Sequence, residues 1–240
     1  AVLPKCICHT ILSVNYTLRR VGQVMSGPQI NTNVVVYTLR DSQLKLLLVR
    51  RGADPFKSMW ALPGGQLQVD EELDASALRT LEEGTGVSGV YLEQLYTFDA
   101  PQRDPRRRAI AVSYFALIPS ERLQLRAAMD AEGVGWFSLD ELPQLAFDHG
   151  QMVAVARQRL AAKLAYSTIA LQFMPDRFTL SELQEVYETI LDEKMDKRNF
   201  RKRILAMEQV VETEHVRRTG SHRPARLYRV RDPSTVQIIR

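Results

Sequence analysis

The chain has 240 residues, of which 45% are hydrophobic and 25% charged, and its formal net charge is +4. This length is sufficient for two domains of ordinary size. Two cysteines are too few for a disulfide framework, and the longest apolar run, residues 109–119, is too short to cross a membrane. The composition therefore argues against a disulfide-rich secreted scaffold and a membrane protein. Because the first residues lack a signal-peptide pattern, a cytoplasmic location is predicted.

The positive charge is concentrated at the C-terminal end. From residue 196 onward there are twelve Lys and Arg residues against five Asp and Glu residues, an excess of seven, so the preceding part carries a net charge of −3. A basic C-terminal quarter is typical of a protein that binds polyanions. Near the start, Cys6, Cys8 and His9 have ligand chemistry, but no second ligand pair follows them, and no metal site is predicted.

The first half of the chain is predicted to be rich in β-strands. Residues 1–24 have no clear period and are assigned to an N-terminal extension. Aliphatic and β-branched runs bounded by turn formers predict strands at 33–38, 44–50, 90–98, 109–118 and 136–137. One helix follows the acidic residues 70–72, with an apolar stripe that Gly84 and Gly86 are expected to end. Mixed strands with few helices predict an α+β layered domain over residues 25–150.

The second half of the chain is predicted to be mostly helical. Apolar residues recur at three-, four- and seven-residue intervals over 151–171, which predicts a long helix, and residues 151–172 are assigned as a linker or dimer helix. Thr179 and Glu182 fit a capping box that opens a second helix. Asp196 is placed to cap a third helix. Short strands at about 212–216 and 225–230 complete a winged helix-turn-helix domain over residues 173–240.

One motif in the first half carries chemistry. Residues 65–87 have the sequence GQLQVDEELDASALRTLEEGTGV, which closely resembles the Nudix box, G-x5-E-x7-R-E-U-x-E-E-x-G-U with U aliphatic. The residues that match the pattern are Gly65, Glu71, Arg79, Leu81, Glu83, Gly86 and Val87. Two positions depart from it, because Thr80 and Gly84 stand where the pattern has glutamates.

The two departures bear on catalysis. Nudix enzymes hydrolyse nucleoside diphosphates linked to another group, and Mg²⁺ held by helix carboxylates offsets the charge of the pyrophosphate. Positions 80, 83 and 84 share one helix face, and only Glu83 retains its carboxylate. The motif therefore predicts a pyrophosphate pocket without hydrolysis, with no catalytic residue, no bound metal and no required cofactor. The alternative is an active ADP-ribose pyrophosphatase with a nucleic-acid-binding tail.

Several residues near the motif have two interpretations. Trp60 either packs in the sheet or stacks on a base. Arg79 either forms a salt bridge with Glu83 or contacts a phosphate. The basic loop 103–108 is either a solvated turn or a phosphate contact. At the junction of the two domains, Asp148 is expected to cap a helix and His149 to pack.

The third helix of the second half has an amphipathic pattern. Phe200, Ile204, Met207 and Val211 are expected on one face, and basic residues on the opposite face suit the major groove of DNA. The hairpin is also basic, which favours further contacts to the DNA backbone. The predicted DNA-binding residues are Arg198, Asn199, Arg201, Lys202, Arg203, Arg217, Arg218, Arg223 and Arg226. A tail that contacts RNA or protein is the alternative.

Together the two halves resemble the Nudix-related transcriptional regulators of NAD metabolism. The stretches that carry the resemblance are WALPGGQLQVDEELDASALRTLEEGTGV, RDPRRR, LAFDHGQM, DKRNFRKRIL and HRPARLYRV. The resemblance implies a Nudix-like α/β/α sandwich followed by a winged helix-turn-helix, in a homodimeric repressor that ADP-ribose or a related NAD metabolite releases from double-stranded operator DNA. It also implies an effector pocket formed by Arg50, Arg51, Phe56, Trp60, Gly64, Gly65, Arg79 and Glu83.

Overall fold

The computed structural model describes residues 27–121, 133–218, 224–233 and 235–239. A seven-stranded mixed sheet forms the centre of the first domain. Its strands are β1 (Gln29–Arg40), β2 (Gln43–Arg50), β3 (Trp60–Ala61), β4 (Gly64–Gln66), β5 (Tyr91–Phe98), β6 (Ala109–Leu117) and β7 (Val134–Ser138). The main order is β3-β2-β1-β6-β5, with β4 paired to β1 and β7 paired to β2. The β1–β6 pair is parallel, whereas the other pairs are antiparallel.

Both faces of the sheet are covered. Along β1, Val34 and Val36 pack in one apolar cluster with Ala77 and Leu81 of α1 (Leu73–Thr85), whereas the alternating residues of the same strand belong to another cluster. That second cluster includes apolar residues of α2 (His149–Tyr166). Because successive side chains of a strand point to opposite faces, helices on both sides bury every central β1 residue. The predicted α/β/α sandwich is confirmed.

Of the two glycines that the sequence predicts at the end of helix α1, Gly86 ends the helix and Gly84 does not. The helix continues through Gly84 to Thr85, and Gly86 terminates it with a left-handed φ of 68°. The Gly86 amide donates to the carbonyl of Glu82 at 2.7 Å, which is an ordinary helix C-cap. Gly84 is therefore an interior helix residue, and a side chain added there would meet no atom within 4 Å.

Helix α2 is shorter than predicted and is not a free linker. It begins at His149 and ends at Tyr166, and a short 3-10 turn, Ile169–Phe173, follows in place of the predicted last turns. The Tyr37 hydroxyl donates to the Val153 carbonyl at 3.2 Å. The buried face of α2 also belongs to the cluster that contains the apolar residues of the second domain. Helix α2 is thus packed between the two domains.

The second domain has two helices and a hairpin: α3 (Leu180–Leu191), α4 (Lys197–Ala206), β8 (Val210–Arg217) and β9 (Ala225–Val230). The capping box of Thr179 and Glu182 is present, and Asp196 caps α4 by accepting from the Asn199 amide at 2.8 Å. Phe200 and Ile204 are buried as predicted. The predicted apolar face is too long, because Met207 is the C-cap of α4 and Val211 lies on β8. The winged helix-turn-helix is confirmed.

Some predictions fall outside the part of the chain that the structure describes. They concern the extension over residues 1–24, the cysteine and histidine ligands near the start, and Arg223 in the hairpin. Across the described ranges, no helix combines the length and the apolar character needed to span a membrane.

Candidate functional site

A small cavity opens beside the Nudix motif, where β1 meets β4. Its volume is about 190 Å³. Gly64 is required at this position, because a Cβ there would lie 2.3 Å from the Thr32 carbonyl oxygen. The cavity is lined by Gln29, Asn31, Asn33, Arg51, Leu62, Gly64, Gly65, Gln66, Arg103, Asp104, Arg106, Phe147 and His149. A neighbouring cavity of about 390 Å³ shares Gln29 and Gln66 with it and is bordered by Arg107 and Arg108.

An aromatic ring and two guanidinium groups form one wall of the cavity. The Arg51 Cζ lies 4.6 Å from the centroid of the Phe147 ring, and the Arg106 Cζ lies 5.8 Å from it. Phe147 has a φ of 54°, which is strained for a bulky residue. The sequence prediction missed Phe147 as a pocket residue, although it lies in the quoted junction stretch LAFDHGQM. Strained residues cluster at ligand sites, so its position here is consistent with binding.

Among the described residues, Arg51 forms no ion pair with a carboxylate, whereas Arg106 is paired with Asp104. Its Nε donates to the Pro55 carbonyl at 2.9 Å, and Nη2 donates to the Ala53 carbonyl at 3.3 Å. Burial lowers the pKa of Arg51, and the nearby Arg106 lowers it further. An anion in the cavity would relieve both effects. Arg51 is therefore well placed to meet a phosphate group.

The loop over residues 103–108 is solvated only in part, because residues 105–108 are exposed whereas Arg103 and Asp104 are buried. Arg103 is buried, and its guanidinium forms two hydrogen bonds with the Asp148 carboxylate, at 2.9 and 2.7 Å. Arg106 forms a corresponding pair with Asp104, which is also buried. The Arg106 side chain lowers the pKa of Asp104, mainly through these hydrogen bonds. The loop is thus fixed against the cavity by ion pairs.

The predicted capping role of Asp148 is wrong for its side chain. Asp148 is the N-cap residue of α2, but its carboxylate makes no capping hydrogen bond and binds Arg103 instead. The predicted packing role of His149 is confirmed, because only 4% of the residue is exposed. Its Nδ1 accepts a hydrogen bond from the Leu62 amide at 3.0 Å, and burial lowers its pKa to about 4. His149 is therefore neutral at pH 7.

The two carboxylates retained from the Nudix box share one partner, Arg79. Its Nε and Nη2 donate to Glu71 at 2.6 and 2.8 Å, and its Nη1 donates to Glu83 at 3.0 Å. The hydrogen bonds from Arg79 are the largest cause of the low pKa of Glu71, about 2. The salt-bridge interpretation of Arg79 is therefore confirmed. Within the described ranges, no group of three or more His, Cys, Asp or Glu side chains could hold a metal ion.

Thr80 and Gly84, the two departures from the Nudix box, differ in their surroundings. Thr80 is buried, and its hydroxyl donates to the Ala77 carbonyl at 3.3 Å. A Cβ added at Gly65 would lie 2.8 Å from the Thr80 methyl group, so helix and strand meet closely there. Gly84 faces open space.

The eight predicted effector residues do not all reach the cavity. Arg51, Gly64 and Gly65 line it, and the Phe56 ring packs edge-on against Phe147 at 4.8 Å. Arg79 and Glu83 belong to the adjacent carboxylate cluster, which is joined to the cavity because Arg79 donates to the Gln66 carbonyl at 3.2 Å. The two remaining residues do not line it. Arg50 donates to the Ser58 carbonyl, and Trp60 packs on Phe137 at 4.7 Å, which favours the packing interpretation of Trp60.

The predicted DNA-binding residues that the structure describes fall into three groups. Arg198, Asn199, Lys202 and Arg218 are exposed. Arg217 and Arg226 form ion pairs with Glu182 and Glu212. Arg201 and Arg203 of α4 reach across to other elements: Arg201 donates to the Tyr228 hydroxyl at 3.1 Å, and Arg203 donates to the Leu164 carbonyl at 3.1 Å.

The start of α3, helix α4 and the hairpin enclose a concave surface. A cavity of about 560 Å³ lies there, lined by Thr179, Leu180, Ser181, Arg201, Pro224, Ala225, Arg226 and Tyr228. Exposed cations beside a concavity and a helix N-terminus are suited to the phosphates of a nucleic acid.

Comparison with known proteins agrees with both domains. Residues 30–156 match the family model of the NUDIX domain, and residues 170–230 match that of the NrtR DNA-binding winged helix domain. The chain is 38% identical over 207 residues to a protein of Acinetobacter baylyi named ADPR responsive transcriptional repressor NtrR. That similarity covers 85% of this chain and 82% of the relative.

The chain is also similar to a DNA-bound regulator of known structure and, over its first domain, to an enzyme. The crystal structure of Shewanella oneidensis NrtR complexed with a 27mer DNA has a TM-score of 0.78 and 37% identity, covering 85% of this chain and 95% of that one. An ADP-ribose pyrophosphatase of Methanocaldococcus jannaschii is 32% identical over 120 residues, covering 50% of this chain and 70% of that enzyme. The order of domains, the winged helix and the similarity over both domains agree: the chain belongs to the NrtR family of Nudix-related transcriptional regulators.

Proposed function

We propose that this chain is a DNA-binding transcriptional repressor whose Nudix-like domain binds ADP-ribose or a closely related NAD metabolite, and that this effector releases it from operator DNA. The observation that carries the proposal is the pairing of Glu71 and Glu83 with Arg79 in a chain that also has a basic winged helix. The name of the Acinetobacter baylyi relative supports the same ligand and the same activity.

The pocket is suited to an anionic nucleotide. Within the part of the chain that the structure describes, Arg51 has no carboxylate partner, and the Phe147 ring lies beside it. The cavity of about 190 Å³ is smaller than the roughly 300–1,000 Å³ usual for ligand sites. The adjoining cavity at Arg107 and Arg108 supplies further space. A nucleoside diphosphate that spans both cavities would meet cations along its length.

The Nudix-like domain acts as a sensor and not as a hydrolase in this proposal. Mg²⁺ requires several free oxygen ligands, and Arg79 binds both carboxylate oxygens of Glu71 and one of Glu83. Thr80 and Gly84 supply no carboxylate. The effector therefore binds and leaves unchanged, without a required cofactor.

The second domain binds double-stranded DNA through the exposed cations of α4 and the hairpin. We extend the proposal to a homodimer, because two winged helices at a fixed separation would read two half-sites of one operator. Its target genes are those of NAD synthesis or salvage, and it acts in the cytoplasm.

The test uses a fluorescent duplex that the purified chain selects from a random-sequence library. ADP-ribose is titrated into the protein–DNA complex, with AMP as the control ligand. We expect ADP-ribose to release the duplex and AMP to have a much smaller effect. If the chain selects no duplex, or if it prefers structured RNA, the proposal that it is a DNA-binding repressor is overturned.

A second candidate function is ADP-ribose hydrolysis, which the Methanocaldococcus jannaschii relative and the retained Glu71 and Glu83 favour. Incubation of the purified chain with ADP-ribose and Mg²⁺ separates the two functions. AMP formation at an enzyme-like rate would establish the hydrolase, whereas intact ADP-ribose is the result expected of the sensor.

A further inference from the structure

Arg203 lies on α4, the helix expected to read DNA, but its guanidinium contacts two other helices. Its Nη2 donates to the carbonyl oxygen of Leu164 on α2 at 3.1 Å. Its Cζ lies 5.6 Å from the ring centroid of Tyr187 on α3. Arg203 and the neighbouring Lys202 are both exposed, but among the described residues no ion pair involves Lys202. The two adjacent cations therefore have different surroundings.

The carbonyl that Arg203 binds belongs to the last turn of α2. The last four carbonyls of a helix have no partner within the helix and require one from elsewhere. The amide of Ser167 satisfies the Lys163 carbonyl, and the amide of Ile239 satisfies the Tyr166 carbonyl. Arg203 supplies the donor for Leu164, and a cation is favourable at a helix C-terminus. The DNA-reading helix thus caps α2 through this one side chain.

The opposite end of α2 forms part of the effector cavity. Phe147 immediately precedes the N-cap residue, and both Phe147 and His149 line the cavity. The N-cap residue itself, Asp148, holds Arg103, which is another lining residue. With 18 residues, α2 is about 27 Å long. A single continuous helix therefore connects the effector cavity to α4.

Two polar contacts join the C-terminal half of helix α2 to the sheet of the first domain. The Lys163 ammonium contacts the Glu93 carboxylate on β5, and Arg159 donates to the Leu95 carbonyl of the same strand at 3.3 Å. A ligand changes DNA affinity only if it favours one arrangement of the domains over another. A ligand that shifted the N-terminal end of this continuous helix relative to the second domain would also shift its C-terminal end, where Arg203 joins α2 to α4.

We propose that Arg203 is a positioning residue that couples occupation of the effector cavity to the DNA-reading helix, and that its role in DNA recognition is indirect. The inference rests on the proposed function, since it requires both an effector and a DNA ligand. It assigns DNA contact to Arg201 and Lys202 and assigns communication between the domains to Arg203.

The experiment measures a coupling factor, defined as the Kd for the selected duplex at saturating ADP-ribose divided by the Kd without it. Allosteric coupling factors are commonly about 5 to 150. In Arg203→Met, which keeps an apolar stem beside Tyr187 but cannot donate to Leu164, the factor should fall to within about threefold of one. Arg203→Lys retains a donor and should restore much of the factor. Lys202→Met should weaken binding with and without ADP-ribose equally, leaving the factor at the wild-type value.

The outcomes separate this inference from the function on which it rests. If the wild-type factor is one, the proposed function fails. If the wild type responds and Arg203→Met responds equally, the coupling role alone is overturned, whatever its DNA affinity. Titration of ADP-ribose into Arg203→Met without DNA should give wild-type affinity, which establishes that the cavity is intact. If the coupling factor falls as far in Arg203→Lys as in Arg203→Met, the hydrogen bond to the Leu164 carbonyl does not carry the coupling.

Discussion

Arg103 and Asp148 form a buried ion pair with two hydrogen bonds, at 2.9 and 2.7 Å, although 45 residues separate them in the chain. Only 3% of the Arg103 side chain and 11% of the Asp148 side chain are exposed. The pair fixes the basic loop 103–108 to the first turn of α2, so one contact organises both the cavity wall and the start of the helix.

Removal of one partner of this pair should be costly. Asp148→Ala leaves the Arg103 guanidinium buried without a counter-charge, and such changes cost about 3–5 kcal/mol. We expect the free energy of unfolding, measured by urea denaturation, to fall by that amount. Arg226→Ala breaks an exposed pair with Glu212 and should cost less than about 1 kcal/mol. An equal fall in the free energy of unfolding in the two variants would show that the buried pair stabilises the fold no more than the exposed pair does.

His149 should make stability depend on pH below neutrality. Its pKa is about 4 in the folded chain, against the ordinary value of 6.5, because burial disfavours the charged ring. Between these two values the unfolded chain binds a proton that the folded chain does not. The free energy of unfolding should therefore fall by about 3 kcal/mol as the pH decreases from 6.5 to 4.

His149→Asn provides the control for this dependence. The asparagine oxygen can accept from the Leu62 amide, but the side chain does not titrate. Glu71 and Glu188 have pKa values of about 2 in the folded chain, against an ordinary value of 4.5, so they also reduce stability near the acid end of this window. That contribution is the same in both proteins and cancels when they are compared. The slope between pH 6.5 and 4 should be much smaller in the variant, and an unchanged slope would assign it to other groups.

Local signals in the sequence predicted much of the fold. The capping residues Thr179 and Asp196 act within a single helical turn, so their roles could be predicted from the neighbouring residues in the sequence. The partner of Asp148 could not be predicted in this way, because Arg103 approaches only after the sheet and α2 have packed together. Phe147 was missed for a similar reason: its position in the cavity follows from a left-handed backbone that its residue type does not favour.

Within the Nudix box, too, the sequence could not predict which side chains contact each other. Spacing placed Glu71, Arg79 and Glu83 in one region but left the partner of Arg79 open between a phosphate and a carboxylate. The geometry depends on the strand β4, whose Gln66 carbonyl also accepts from Arg79, and on the loop that brings Glu71 back to the helix.

Restoring the two glutamates of the box should affect stability in opposite directions. Thr80 is only 6% exposed, so Thr80→Glu buries a carboxylate and should lower the free energy of unfolding by about 1–3 kcal/mol. Gly84 lies within α1 on its solvent-exposed side, and there is free space around it. Gly84→Glu should raise stability by about 0.5–1 kcal/mol, since glycine is a poor helix former. Thermal unfolding measures both, and a stable Thr80→Glu would contradict the packing described for β4 and α1.

Arg51 should contribute strongly to effector binding. If its guanidinium meets a phosphate of ADP-ribose, Arg51→Met removes a charge-assisted contact and should raise the Kd about tenfold to a hundredfold, as measured by calorimetry. Arg40→Met removes an exposed cation that forms an ion pair with Asp41, and it should leave the Kd unchanged. If the Kd for ADP-ribose rises no more in Arg51→Met than in Arg40→Met, Arg51 does not contact the effector.

Arg201 and Lys202 should affect DNA binding in different ways. The Arg201 guanidinium is braced by the Tyr228 hydroxyl at 3.1 Å, which suits a side chain that reads a base edge. Arg201→Ala should weaken binding to the selected duplex by about 1–3 kcal/mol and relax its sequence preference. Lys202→Ala should weaken binding to all duplexes and reduce the slope of log K against log salt by about one unit. Fluorescence anisotropy over a range of salt concentrations measures both effects. ADP-ribose affinity should be unchanged in each variant, and its loss together with DNA binding would indicate misfolding and not a removed DNA contact.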